Sequence, residues 1–346
     1  MKNKEQEKEK NNRKRQLLLA LFMLIVSSIT LTTASYAWFT ANTNVSIETL
    51  DVNVGASNGI QISTDAVNWK AAITKDDILT KAYSGHQNQV PASISPTSSA
   101  GNISTATDTT AGTVKGHMEI FSGGIEWDEE EADYMLTAPE LLKDAPGTNG
   151  QYIAFDVFFL VQQETDLYLT TGSSVLPKAT STTTTDTGLK NAARVAFLYE
   201  GNVAAGNSAS AIALDGATDS IIWEPNYNTH TSAAVDWNTT VYGTTISTTS
   251  EVSYDGVKAV ISDENAIPHG STSSEAPGST YLQSVTPEIQ TEATMAAYEE
   301  VMTLPVGISK VRIYAWVEGQ DIDCENNASG SDISFTLKFS KNSSAS

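Results

Sequence analysis

Cysteine is nearly missing from this chain. Cys324 stands alone among 346 residues, so no intrachain disulfide can form and the fold must be held by packing. Positive charge is also scarce beyond the start. Residues 1–15 carry seven Lys and Arg against three Glu, residues 16–37 carry no charge, and residues 38–346 carry 13 basic and 38 acidic side chains. A body this acidic repels nucleic acid and anionic membranes, which excludes both as partners of the mature chain. Catalytic signatures are missing too. There is no HExxH pair of helical zinc ligands, no GxSxG elbow, no P-loop and no Rossmann fingerprint. The four histidines, His86, His117, His230 and His269, are scattered through loop-like sequence and read as isolated exposed residues. A nucleophilic role for Cys324 is disfavoured, because Asp321, Asp323 and Glu325 around it oppose a thiolate. No enzymatic activity is expected.

Long apolar runs are confined to one place. Residues 17–34 (LLLALFMLIVSSITLTTA) follow the basic Arg13-Lys14-Arg15, and Ser35-Tyr36-Ala37 places small residues at −3 and −1 of a cut between Ala37 and Trp38. Basic flank, apolar core and small-residue site are the three parts of a secretory signal, and the basic flank keeps that end cytoplasmic. Residues 1–37 are therefore read as a cleaved export signal. The alternative is an uncleaved anchor, since a stretch of 18 residues just reaches spanning length. In that case alone would the chain contact a membrane.

Residues 38–346 are read as a single all-β domain, an antiparallel β-sandwich interrupted by Ser/Thr-rich insertions at about 84–115, 178–188 and 200–280. Val45, Ile47, Leu50, Val52 and Val54 alternate with polar residues, and the phase slips at Glu48-Thr49 as at a β-bulge. Residues 152–161 are apolar on both faces, the pattern of a central strand. Residues 118–127 suggest a hairpin about Gly123-Gly124, and residues 292–301 the one plausible helix. Near the C-terminus Val311, Ile313, Ala315 and Val317 share one strand face, with Arg312, Tyr314, Trp316 and Glu318 on the other. The last strand alternates strictly, with Ile333, Phe335, Leu337 and Phe339 inward. No βαβ alternation is present, which disfavours a parallel α/β fold.

Two acidic clusters carry the oxygen ligands that calcium prefers. One spans residues 128–131 with Asp133; the other comprises Asp321, Asp323, Asn326, Asn327 and Asp332 on one loop. Neither has EF-hand spacing, and a solvated acidic loop is the simpler reading. No other cofactor is expected. Trp69, Trp127, Trp223, Tyr314 and Trp316 are read as core or interface aromatics.

The stretch Thr33-Ala34-Ser35-Tyr36-Ala37-Trp38-Phe39-Thr40, followed by Leu50-Asp51-Val52, resembles the start of TasA/camelysin-type exported proteins of Gram-positive bacteria. Residues 316–324 (WVEGQDIDC) are similar to the closing stretch of clostridial exported proteins with that type of N-terminus. The resemblance covers the two ends of the chain and leaves the middle unaligned. It implies release by a SipW-type signal peptidase, a jelly-roll sandwich, and a secreted subunit of cell-surface fibres or biofilm matrix. It also implies self-association, with residues 38–54 donated as a strand to the next subunit. The peptidase activity ascribed to camelysin-like relatives is not carried over, because its motif is missing. The alternative function is a monomeric, calcium-dependent surface adhesin or binding module.

Overall fold

A computed structural model describes residues 45–54, 59–105, 116–128, 133–141, 150–177, 187–212, 216–242, 244–263, 278–324 and 332–343. The export signal, including Ala37 and Trp38, lies outside the described residues, as does Asn326. Among the described residues strand accounts for 44% and helix for 9%, so the fold is all-β.

Two large sheets stack face to face. The first contains β16 (Glu299–Leu304), β8 (Thr165–Leu169), β18 (Asp332–Ser340), β1 (Val45–Val54) and β3 (Ala72–Thr74) in that order, with β4 (Ser93–Ile94) on β1 and β9 (Ser174–Pro177) on β18. The second runs β15 (Ile289–Thr291), β11 (Ile221–Pro225), β10 (Ala193–Val203), β17 (Gly307–Val317), β7 (Ile153–Val161), β2 (Gln61–Ser63). Smaller sheets pair β5 (Gly124–Asp128) and β13 (Ile261–Asp263) with β6 (Asp133–Ala138), and β12 (Tyr254–Val257) with β14 (Leu282–Val285). Neither large sheet is purely antiparallel, since β1 runs parallel to β18 and β11 parallel to β15.

The sandwich core follows from alternation. Ile333, Phe335, Leu337 and Phe339 of β18 are all buried and meet Phe155, Val157, Phe159, Val195, Phe197, Val311 and Ile313 of the second sheet. Phe339 stands edge-on to Phe159 and Phe197, with ring centroids 5.5 and 5.9 Å away, a favoured aromatic geometry.

β17 departs from the expected one-sided strand. All its residues are buried, including Lys310 and Arg312. The cover on its second face comes largely from the segments read as surface insertions. Residues 88–91, 94 and 96–100 are buried, and their backbone joins the sheets: Gln89 N donates to Ala154 O (2.7 Å), Thr97 N to Val317 O (2.9 Å) and Ala100 N to Val257 O (3.0 Å). Composition misjudged this stretch because it weighs side-chain hydrocarbon, whereas short Ser, Thr and Ala side chains let the backbone itself approach and be satisfied. Met118, Ile120, Tyr254 and Val285 complete the layer over Tyr314 and Trp316.

Two local expectations are corrected. The hairpin lies at β5–β6, with Trp127 opposite Tyr134, and Gly124 opens a strand instead of turning one. Residues 292–301 form no helix: 292–298 are irregular, and 299–304 are β16, paired with β8 over the core. Burial of Val301 and Leu304 there outweighs the helix propensity of Glu, Ala and Met. The α-helices among the described residues are α1 (Lys75–Thr80), α2 (Ser232–Tyr242) and α3 (Gly278–Tyr281). α1 starts with a capping box, in which Thr74 Oγ1 accepts from Asp77 N and Asp77 Oδ2 from Thr74 N.

Candidate functional site

The first described strand closes the first sheet. β1 runs parallel to β18 from Ser46 opposite Asp332 to Val54 opposite Phe339, and the register slips between Ile47 and Thr49, where the bulge was expected. Its other edge pairs with β3 through Asp51, Asn53 and Val52, and with β4 through Val45 and Ser46. Leu50 and Val52 are buried in the sandwich core, while Asp51 between them is exposed. Residues 45–54 of the segment expected to be donated to a neighbour are thus paired within their own chain, where they lie against β18.

The loop after β17 gathers the second predicted set. Both oxygens of Asp321 are taken: Oδ2 accepts from Arg194 Nη2 at 2.5 Å and Oδ1 from Asp323 N at 2.8 Å. Asp323 is equally occupied, with Oδ2 2.6 Å from His230 Nδ1 and Oδ1 accepting from Thr231 N at 3.1 Å. His230 Nε2 meets Ser250 O at 2.9 Å. With an acceptor beside each ring nitrogen, the imidazolium form donates to both. Burial opposes that charge, but the Asp323 bond outweighs it and holds His230 above its ordinary value. Asp332 begins β18, with its backbone in register with Ser46. As arranged, this loop spends its carboxylates inside the chain, and among the described residues no group of three or more His, Cys, Asp or Glu is placed to hold a metal. His117 and His230 are buried, against the expectation of exposed histidines, and burial pushes His117 down to about 3. Cys324 is buried as well.

Comparison with protein-family models, with curated proteins and with solved structures finds no match.

A cleft of about 500 Å³ is lined by Thr64, Asp65, Asn68, Lys70, Ile73, Lys81 and Ala82. Both its lysines are held by Asp77, at 2.6 Å from Lys70 and 3.0 Å from Lys81. Burial works against the Asp77 carboxylate, but hydrogen bonds from Lys70 and Lys81 dominate and hold it at about 2. Its lining contains no histidine, serine or cysteine to form a nucleophile–base pair.

The covered face of the second sheet holds a set of residues that sequence reasoning missed. Asp156 of β7 accepts from Arg312 Nη1 on Oδ1 (2.9 Å) and from Tyr83 OH on Oδ2 (2.7 Å), and Lys310 Nζ lies 3.4 Å from Oδ2. All three charged side chains are fully buried. Glu200 of β10 shares the layer. Its Oε2 accepts from Gly216 N and Ala217 N, its Oε1 has no partner among the described residues, and burial pushes it up to about 8. Farther along, Arg194 bridges Glu224 and Asp321, and its guanidinium lies 5.0 Å from the centre of the Tyr254 ring. Glu318 accepts from Trp316 Nε1 and Ser99 N, and burial pushes it up to about 7. One signal was present: Asp156 is the only charge in a strand apolar on both faces, and a buried carboxylate there requires a buried cation.

Proposed function

We propose that the mature chain is a secreted structural subunit of cell-surface fibres or matrix, folded as a jelly-roll-like sandwich and joined to its neighbours by exchange of β1. The observation that carries this reading is the parallel ladder between β1 and β18. The strand comes from the N-terminal end of the body, and a backbone ladder with two buried side chains, Leu50 and Val52, holds it to β18, β3 and β4. An identical strand from another copy makes the same hydrogen bonds and fills the same groove, so exchange conserves contacts while linking chains head to tail. Such a contact repeats into a filament when it does not close on itself. The acidic body and the single cysteine fit a soluble exported subunit stabilised by packing.

The experiment is electron microscopy of a chain that starts at Trp38, compared with one from which residues 38–54 are removed. The first is expected to form filaments. The second lacks an interior strand, so it should polymerise no longer and regain a cooperative unfolding transition only with a Val45–Val54 peptide. Equal polymerisation of the two chains contradicts the reading.

A further inference from the structure

We propose that Lys310 and Asp156 condense into an intramolecular amide, with Glu200 as the proton relay, covalently joining β17 to β7 at the centre of the second sheet. The registers place the three groups together. β17 lies between β7 and β10, with Lys310 opposite Phe158 and Arg312 opposite Asp156 on one side, and Lys310 opposite Gly201 on the other. Asp156 is therefore the diagonal neighbour of Lys310. The register slip between Tyr199 and Gly201 makes Glu200 the extra residue beside it.

The arrangement has the parts an acyl transfer needs. The nucleophile and electrophile are held side by side, Lys310 Nζ being 3.4 Å from Asp156 Oδ2. Donors sit on both carboxyl oxygens, Arg312 Nη1 at 2.9 Å and Tyr83 OH at 2.7 Å, where a tetrahedral oxyanion would be stabilised. Tyr83 OH also receives Lys310 Nζ at 3.0 Å, which aims the amine along the same edge. Tyr83 packs edge-on to Phe158, and Phe158 clusters with Ala66, Ile212 and Ile308, so the site is closed to water, the product of the condensation. Glu200 feels the charges of both Lys310 and Asp156, and its Oε1 has no partner among the described residues. Burial, working against Lys310, also pushes the Asp156 carboxyl up, toward the neutral form that is the better electrophile.

The step balances without a co-reactant. The Lys310 nitrogen bonds to Asp156 Cγ, one Cγ–O bond breaks, and that oxygen leaves as water. The two protons of the water come from the Lys310 ammonium and pass through Glu200 to the departing oxygen. Ammonium plus carboxylate becomes amide plus water, with no change in net charge or oxidation state. The bond would give a chain with a single cysteine the kind of staple that a disulfide provides elsewhere.

Intact mass spectrometry of the purified full chain under denaturing conditions, with its N-terminus determined, tests this. The expected mass is one water short of the sequence mass, and a digest of the wild-type chain should yield a branched peptide joining the β7 and β17 segments. Lys310→Met and Glu200→Gln should each restore the full mass. The branched peptide comes from the wild type, so the test does not depend on either variant folding. A wild-type chain of full mass overturns the proposal, and so does a deficit that persists in Lys310→Met. A deficit that persists only in Glu200→Gln overturns the relay role.

Discussion

The two faces of β17 are equally buried and are held in opposite ways. On one, Val311, Ile313, Ala315 and Val317 meet the hydrocarbon of the first sheet. On the other, Lys310, Arg312, Tyr314, Trp316 and Glu318 lie under segments that supply a partner for each charge, Tyr83 OH for Lys310, Gln87 O for Arg312 and Ser99 N for Glu318. The first face depends on volume and tolerates small trades among apolar residues. The second depends on pairing, because a buried charge that loses its counter-ion keeps its full desolvation cost. Burial alone does not say how a face will respond to mutation; the identity of the covering groups does.

The largest expected effect falls on the charged face. Arg194→Met leaves Glu224 and Asp321 without their shared cation and should cost about 3–5 kcal/mol, read as a drop in urea midpoint. A loss near that of an exposed ion pair would erase the distinction between the faces. Protonation gives an effect of similar or slightly smaller size. The Glu318 carboxyl, near 4.5 when unfolded and pushed up to about 7 by burial, binds its proton more tightly in the fold. Its contribution is fully present below pH 4.5 and is lost as pH rises through about 7, on the order of 3 kcal/mol. His117, held down at about 3, pulls the other way below its ordinary value, so the measurement compares variants instead of following one profile. Relative to wild type, Glu318→Gln should gain stability between pH 5 and pH 8; a pH-independent difference would refute the assignment. The smallest effect belongs to the hydrocarbon face. Ile313→Val should cost only about 1 kcal/mol by thermal unfolding, since a single methylene leaves a small cavity.

Much of the sandwich was legible in the sequence because its strands announce themselves by period. The strict alternation of β18, the double-faced apolar run of β7 and the slip at Glu48-Thr49 all correspond to observed structure. The covered face was not legible, and the reason is physical. Arg312 and Glu318 read as a solvated face until something covers them, and the cover is made of Ser, Thr and Ala segments that carry no hydrophobic signal. Partners distant in sequence are equally hidden. Asp321 and Asp323 suggest a calcium loop when read locally, but Arg194 is 127 residues from Asp321 and His230 is 93 residues from Asp323. The helix expected over residues 292–301 shows a local preference yielding to the core beneath β16.

The functional reading rests on whether β1 belongs to its own chain or to its neighbour's, and a cysteine pair can trap the answer. Asp51 and Thr336 are register partners on the outward side of β1 and β18, and Cys324 is buried away from them. A chain starting at Trp38 and carrying Asp51→Cys and Thr336→Cys is oxidised after polymerisation and run on a denaturing, non-reducing gel. The account predicts a ladder of covalently linked chains that collapses to monomer on reduction. A single monomer band with the cysteines joined within one chain would contradict it.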